Sequence, residues 1–229
     1  MLDKRQFQTW LRQNQLSDHS LATITEGTGY AYKTISGSVR KNKVDEFFVL
    51  AVAHKYEVGV LATAAQLPAF TDISLENPLD PQALLLALDH RYLVDHLSDG
   101  ATAASPTDRS VKPQKELLRR IWEHYELHTQ IKALTAQSKL SRDSLYRQFR
   151  NEVSPRLTAA ACNVGSVNLR LFFLGRGLLS LSEAMHPADP ATVLDEMNPR
   201  SIVNELKESA SMFHERFAPN FDPEEDAGL

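Results

Sequence analysis

IKALTAQSKLSRDSLYRQFR, residues 131–150, reads as a helix, a sharp turn and a second helix. Ile131 and Leu134 give the first helix an apolar side. Leu145 and Phe149, four apart, do the same for the second. Between them lies Ser138-Lys139-Leu140-Ser141, a short connector ending in a residue suited to cap a helix N-terminus. With Leu145 and Phe149 inward, Arg142, Asp143, Tyr146, Arg147 and Arg150 face outward. That face carries long hydrogen-bond donors. It suits the major groove of DNA, where arginine pairs with the acceptor edge of guanine.

The charge map is consistent with this reading although the whole chain, 229 residues, carries a formal −4. Residues 1–70 hold 8 basic and 6 acidic side chains, and residues 71–113 hold 3 and 7. Residues 114–181 hold 11 and 5, and residues 182–229 hold 3 and 11. Two neutral-to-basic regions are each followed by an acidic one. A local basic patch matters more for binding DNA than the total does. No run approaches the ~18–20 apolar residues of a membrane span. The opening MLDKRQFQTW has no apolar core of a secretory signal, so none is expected. Cys162 is the only cysteine, which excludes an intramolecular disulfide and favours a cytoplasmic location. Its setting, TAAAC, reads as a small buried hydrophobe.

Periodicity continues in both directions. Residues 3–14 form a helix with Phe7, Trp10 and Leu11 inward. Asp18 is expected to cap a second helix holding Leu21 and Ile24. Gly27-Thr28-Gly29 turns the chain into a third, Ala31 to Arg40, followed by the basic loop Lys41-Asn42-Lys43. Val44 to Tyr56 and Val58 to Gln66 are two more helices. Asp80-Pro81 opens a further apolar pair with a break near Asp89. Residues 100–113 are small, polar and proline-bearing, and read as a flexible linker. Beyond it, Leu117, Leu118, Ile121 and Tyr125 line a helix. Thr129 caps the next and Ser141 the third, and Ser154-Pro155 opens the fourth. Val167 to Gly175 is the fifth, and the glycines of LGRGLL mark its end. Asp189-Pro190 opens a helix pair running to about Phe213. Residues 216–229 read as a disordered acidic tail.

The second half repeats the first. A shift of 110 carries Leu21 to Ile131, Ile24 to Leu134, Thr28 to Ser138, Ile35 to Leu145 and Arg40 to Arg150. After the basic loop the shift is 109: Val44 falls on Val153, Phe48 on Leu157, and Asp80-Pro81 on Asp189-Pro190. The expected architecture is all-α. It comprises a first domain with a helical tail (1–99), the linker (100–113) and a second domain with a helical tail (114–215).

Each copy resembles the lambda-repressor-like helix-turn-helix family, of Cro and XRE type. In the second copy this rests on IKALTAQSKLSRDSLYRQFR and SPRLTAAACNVGSVNLRLFFLGRGLLS. In the first it rests on SLATITEGTGYAYKTISGSVRKN and VDEFFVLAVAHKYEVGVL. The second copy also looks like phage and prophage immunity repressors. The resemblance implies two tandem DNA-binding domains. In the second, Arg142, Asp143, Tyr146, Arg147 and Arg150 would read bases, while Ser141, Thr129 and Gln130 would touch the phosphate backbone. In the first, the matching positions are Ala31, Tyr32, Lys33, Ser36, Gly37 and Arg40, with Tyr32, Lys33, Arg40, Lys41 and Lys43 able to hold phosphates or thymine methyls. Two departures stand out. Lys139 occupies a turn position where the family often has glycine, and a positive φ there costs a lysine about 1 kcal/mol. The first copy's third helix contains Gly37 and begins without Arg, Asn or Gln, which weakens base reading by that copy.

The function these readings imply is a sequence-specific double-stranded DNA-binding regulator, a repressor that occludes an operator, with no catalysis and no cofactor. A fourteen-residue linker spans up to about 45–50 Å, enough to place two heads in major grooves ~34 Å apart. One chain would then act as a pseudo-dimer, or as a homodimer. Alternatively, the same fold serves as a protein-interaction module, as in an antirepressor, an antitoxin or a polymerase-associated factor. In a third arrangement copy two reads DNA while copy one supports dimerisation or a weak second contact. His124 and His128 lie four apart but lack further ligands at metal spacing, and read as a solvated pair. There is no phosphate-cradling glycine loop, paired-carboxylate signature or nucleophile elbow.

Overall fold

The computed structural model describes residues 1–99 and 104–217, the side chains of 99, 209 and 211–217 excepted. The expected tail beyond 217 and the first four residues of the expected linker lie outside the described residues. All regular structure among those described is helical, apart from two isolated bridges, Leu2 with Val44 and Leu88 with Val111.

The first half contains α1 (Lys4–Gln13), α2 (Leu21–Thr25), α3 (Tyr32–Arg40), α4 (Glu46–Lys55), α5 (Val60–Ala64), α6 (Pro81–Ala87) and α7 (His90–Asp99). The second contains α8 (Gln114–His124), α9 (Ile131–Ser138), α10 (Arg142–Asn151), α11 (Pro155–Gly165), α12 (Leu169–Gly175), α13 (Leu181–Met185), α14 (Pro190–Glu196) and α15 (Pro199–Phe217). The offset that aligns the sequences also aligns the helix starts. Lys4 and Gln114, Leu21 and Ile131, and Tyr32 and Arg142 are each 110 apart. Glu46 and Pro155, Val60 and Leu169, Pro81 and Pro190, and His90 and Pro199 are each 109 apart. α13 has no helical counterpart, since residues 72–76 form no helix.

Local chemistry explains the matching starts. Asp80 accepts from Ala83 N at 2.8 Å and Asp189 from Thr192 N at 2.9 Å, each with proline at the first helical position. After each of these helices, Asp89 accepts from Arg91 N and Asn198 from Arg200 N. Two expected caps fall elsewhere. Ser20, not Asp18, caps α2 by accepting from Thr23 N. Thr129 sits inside a 3₁₀ turn, Leu127–Gln130, and donates to Glu126 O, so it does not cap α9.

The two halves share one continuous core. Phe173 of α12 packs edge-on against both Phe70 and Phe47, at 5.6 and 6.4 Å between ring centres. Asn168 donates to Asn77 O and Pro78 O. The Arg170 side chain is held by carbonyls of both halves: Leu75 and Glu76 on one side, Glu183, Ala184 and His186 on the other. α6, although encoded in the first half, packs against α8, α12, α14 and α15, and every residue from Ala83 to Leu88 is buried. The equivalent helices α6 and α14 touch each other, as do α7 and α15. Contacts between equivalent elements are what an approximate two-fold axis produces.

The segment entering α8 corrects the expectation of a flexible tether over its described part. Asp89 N donates to Ser110 O at 2.6 Å and Lys112 N to Ala87 O at 2.8 Å. Asp108 accepts from Leu181 N at 2.7 Å. The Lys112 side chain is fully buried; its ammonium donates to Leu86 O and Leu88 O, closing the C-terminal end of α6. It also pairs with Glu205, which in turn holds Arg120 at 2.6 Å. Small polar composition suggested looseness, whereas one buried lysine and a run of backbone hydrogen bonds fix the path. No helix among the described residues is long and apolar enough to cross a membrane.

Candidate nucleic-acid interface

α9 and α10 are joined by the three residues Lys139, Leu140 and Ser141. Lys139 has φ 57° and ψ 31°, the left-handed conformation that ends α9. Ser138, fully buried, bonds back to Leu134 O, and Ser141 caps α10 by accepting from Ser144 N. Leu145 and Phe149 face the core. Trp122 of α8 clamps α10 from behind, 4.6 Å from Phe149 and 5.5 Å from Tyr146 between ring centres.

This seating leaves Ser141, Arg142, Asp143, Arg147 and Arg150 exposed, together with Thr129 just before α9. Among the described residues, none of the three arginines forms an ion pair. Arg142 lies 5.6 Å from the centre of the Tyr146 ring and donates to its hydroxyl at 3.5 Å. Lys132 and Lys139 are exposed on the same helix pair and enlarge its positive charge beyond the expected readers. Two expected contact residues are less available. Tyr146 is half-buried against Trp122, and Gln130 is half-buried with its amide directed to Tyr125 O.

The first half differs. α2 is only five residues long, and six residues separate it from α3, with Gly27 and Gly29 at φ 71° and 78°. Tyr32 is 53 % exposed at the start of α3. Ala31, Lys33, Arg40, Lys41 and Lys43 are also exposed. Ser36 is turned inward, contrary to the outward face expected: it is 9 % exposed and accepts a hydrogen bond from Arg40 Nη2 at 3.1 Å. At its offset the second half has Tyr146, a bulkier residue on the same inward-leaning side. Gly37 is half-buried.

The residue that joins the two regions was not singled out in the sequence. Arg176, between the two glycines of LGRGLL, spans the seam. It donates to Glu152 Oε1 at 2.9 Å and to Val153 O at 2.6 Å, just past α10. Its guanidinium covers Phe47 of α4. Burial first, and then the Asp45 carboxylate, push the Tyr30 hydroxyl up to about 12, while Arg176 acts in the opposite sense. Burial also raises Asp45, whose carboxylate accepts from Phe47 N at 2.7 Å. Tyr30 and Asp45 flank α3, and Glu152 follows α10. Tyr30, just before α3, and the residues just past α10 therefore meet at one cluster around Arg176.

Cys162 is buried, and burial pushes its thiol far up, which makes it a packing residue. His124 and His128 are exposed. No group of three or more metal-ligating side chains is found among the described residues. No protein-family model, curated protein or solved structure matches this chain.

Proposed function

We propose that the chain is a sequence-specific double-stranded DNA-binding regulator of helix-turn-helix type, built from two fused lambda-repressor-like halves. Its main reading element is α10. The observation that carries this reading is the exposed face of α10: Arg142, Arg147 and Arg150, without ion pairs among the described residues, on a helix whose start is capped and whose back is clamped by Trp122. Unpaired guanidiniums on a rigid helix suit bidentate contacts with guanine, and the N-terminal ends of α9 and α10 suit phosphate. α3 would add Tyr32, Lys33, Arg40, Lys41 and Lys43 as backbone contacts. The regulator would act by occluding an operator, as immunity repressors of phage type do.

The fused core changes how two heads would engage DNA. They do not hang on a tether, so a site would be met by one rigid body with both helices at a set spacing. The test is selection of bound sequences from random duplex DNA with the full chain, followed by titration of the best site at several salt concentrations. Binding should be sequence-selective and fall steeply with salt, since each neutralised phosphate releases counterions. Absence of any selected sequence would overturn the reading and favour a protein-interaction role for the same face.

A further inference from the structure

We infer that the cleft between α1 and the α2–α3 pair binds a small apolar anion, such as an aromatic or branched aliphatic carboxylate. The cleft is open to solvent on one side and has a volume of about 510 Å³, within the range of small-molecule sites. Phe7 and Leu11 of α1, Leu21 and Ile24 of α2, and Val39 of α3 supply its apolar walls. Arg12, His19, Gln8 and Ser17 supply its polar lining. The Arg12 side chain donates only to Gln8 O and Thr9 Oγ1 among the described residues and forms no ion pair there. Asp18, next in sequence to Ser17 of the lining, is exposed and accepts from Ser17 Oγ.

The second half shows what this space looks like when it is closed. At the offset of 110, Gln8, Arg12 and Val39 correspond to Leu118, Trp122 and Phe149. Leu118 and Phe149 are 3 % and 4 % exposed, and Trp122 lies against Phe149. An aromatic pair thus fills the gap between the first and third helices of that half. In the first half, a valine and two polar side chains leave it open. The walls that remain are the same inward positions in both halves, so the opening is local. A cation at its rim, with no carboxylate paired to it among the described residues, selects for an anionic end on an apolar body.

The experiment is a fluorescence titration of the full chain with 8-anilinonaphthalene-1-sulfonate, alongside the uncharged N-phenyl-1-naphthylamine. A single molecule of the sulfonate should bind per chain. Val39→Phe, which copies Phe149, should weaken both probes by about tenfold or more. Arg12→Gln, an exposed change that leaves the walls intact, should weaken the sulfonate by about fivefold and leave the neutral probe unchanged. Absence of stoichiometric binding to the parent, or equal binding of the sulfonate by the parent and Val39→Phe, would overturn the assignment. So would an Arg12→Gln variant that binds both probes like the parent.

Discussion

The guanidinium carbon of Arg176 lies 3.7 Å from the centre of the Phe47 ring, which joins the end of α12 in the second half to α4 in the first. A cation held over a partly desolvated ring contributes roughly 0.5–2 kcal/mol. Arg176 also bonds to Val153 O and Glu152, although Glu152 is 64 % exposed and adds little. Because the seam belongs to the common core, urea should unfold the parent chain in one cooperative transition. Arg176→Ala should lower its stability by about 1–3 kcal/mol. Two resolved transitions in the parent would show that the halves fold as separate units.

α6 leads to a stronger expectation about separation. Leu84, Leu85, Leu86 and Leu88 are each at most 1 % exposed, and α6 packs on four helices of the second half. Removing such side chains costs about 1.5–3 kcal/mol each, against a total stability on the order of 5–15 kcal/mol. A fragment comprising residues 114–229 should therefore lack a cooperative thermal transition by circular dichroism. Adding residues 79–113 should restore one. A sharp melt from the shorter fragment would mean that α6 is dispensable.

The helical fold was legible because its signals are local. Apolar spacing marked Phe7, Trp10 and Leu11, and Asp-Pro pairs marked the starts of α6 and α14. The exposed set on α10 followed from Leu145 and Phe149 alone. The sequence misled where a tertiary partner decides. Ser36 looks like a surface serine until Arg40 folds over it. Tyr146 looks free until Trp122, 24 residues earlier, meets it. Residues 104–113 look loose because their anchors, Ala87, Leu181 and Glu205, are distant in sequence. Arg176 carried no periodic signal, so its place across the seam depends on where Phe47 and Glu152 come together.

The charged cluster beneath α7 and α15 is a further point of dependence. Glu205 is 7 % exposed and faces both Lys112 and Arg120. Burial lowers the Lys112 ammonium from its ordinary value, and Glu205 is the chief influence holding it up. Glu205→Ala leaves the buried Lys112 ammonium with carbonyl partners and removes the 2.6 Å carboxylate contact of the buried Arg120, and should cost about 3–5 kcal/mol. Adding Lys112→Met should recover part of that loss, since it removes the charge but exposes the need of Leu86 O and Leu88 O for a donor. Chemical denaturation of the two variants checks both signs; an additive double mutant would exclude the coupling.

His90 lies beside the same cluster, 3.8 Å from Glu116. Burial, followed by the Lys112 charge, lowers its pKa, with Glu116, Asp89 and Glu205 opposing. A histidine whose folded value lies below its unfolded value, about 6.5, binds its proton more weakly in the native state. Stability therefore rises with pH between those two values and is lost as pH falls through that window. Between pH 7.5 and 5.5 the parent should lose more stability than His90→Gln, measured as the shift in urea midpoint. An equal loss in both would place the acid sensitivity on other groups.

For DNA, the arginines of α10 and the fixed seam make separable predictions. Arg142→Ala and Arg147→Ala should each weaken the best selected site about tenfold or more and relax base preference at one position. Lys41→Ala should weaken all sequences alike and reduce the salt slope by about one. Ser36→Ala, a change at a buried residue, should leave base preference unaltered. If the selected site contains two blocks of preferred bases, the proposed reading has them met by two helices of one fused core. Inserting two base pairs between the blocks rotates one by about 70° around the duplex, which has ~10.5 pairs per turn. A tethered pair of heads would follow that rotation, but a rigid body cannot. Binding to the lengthened site should therefore fall to that of the stronger block alone. Unchanged affinity would mean that the halves part on DNA, and that the seam opens in the complex.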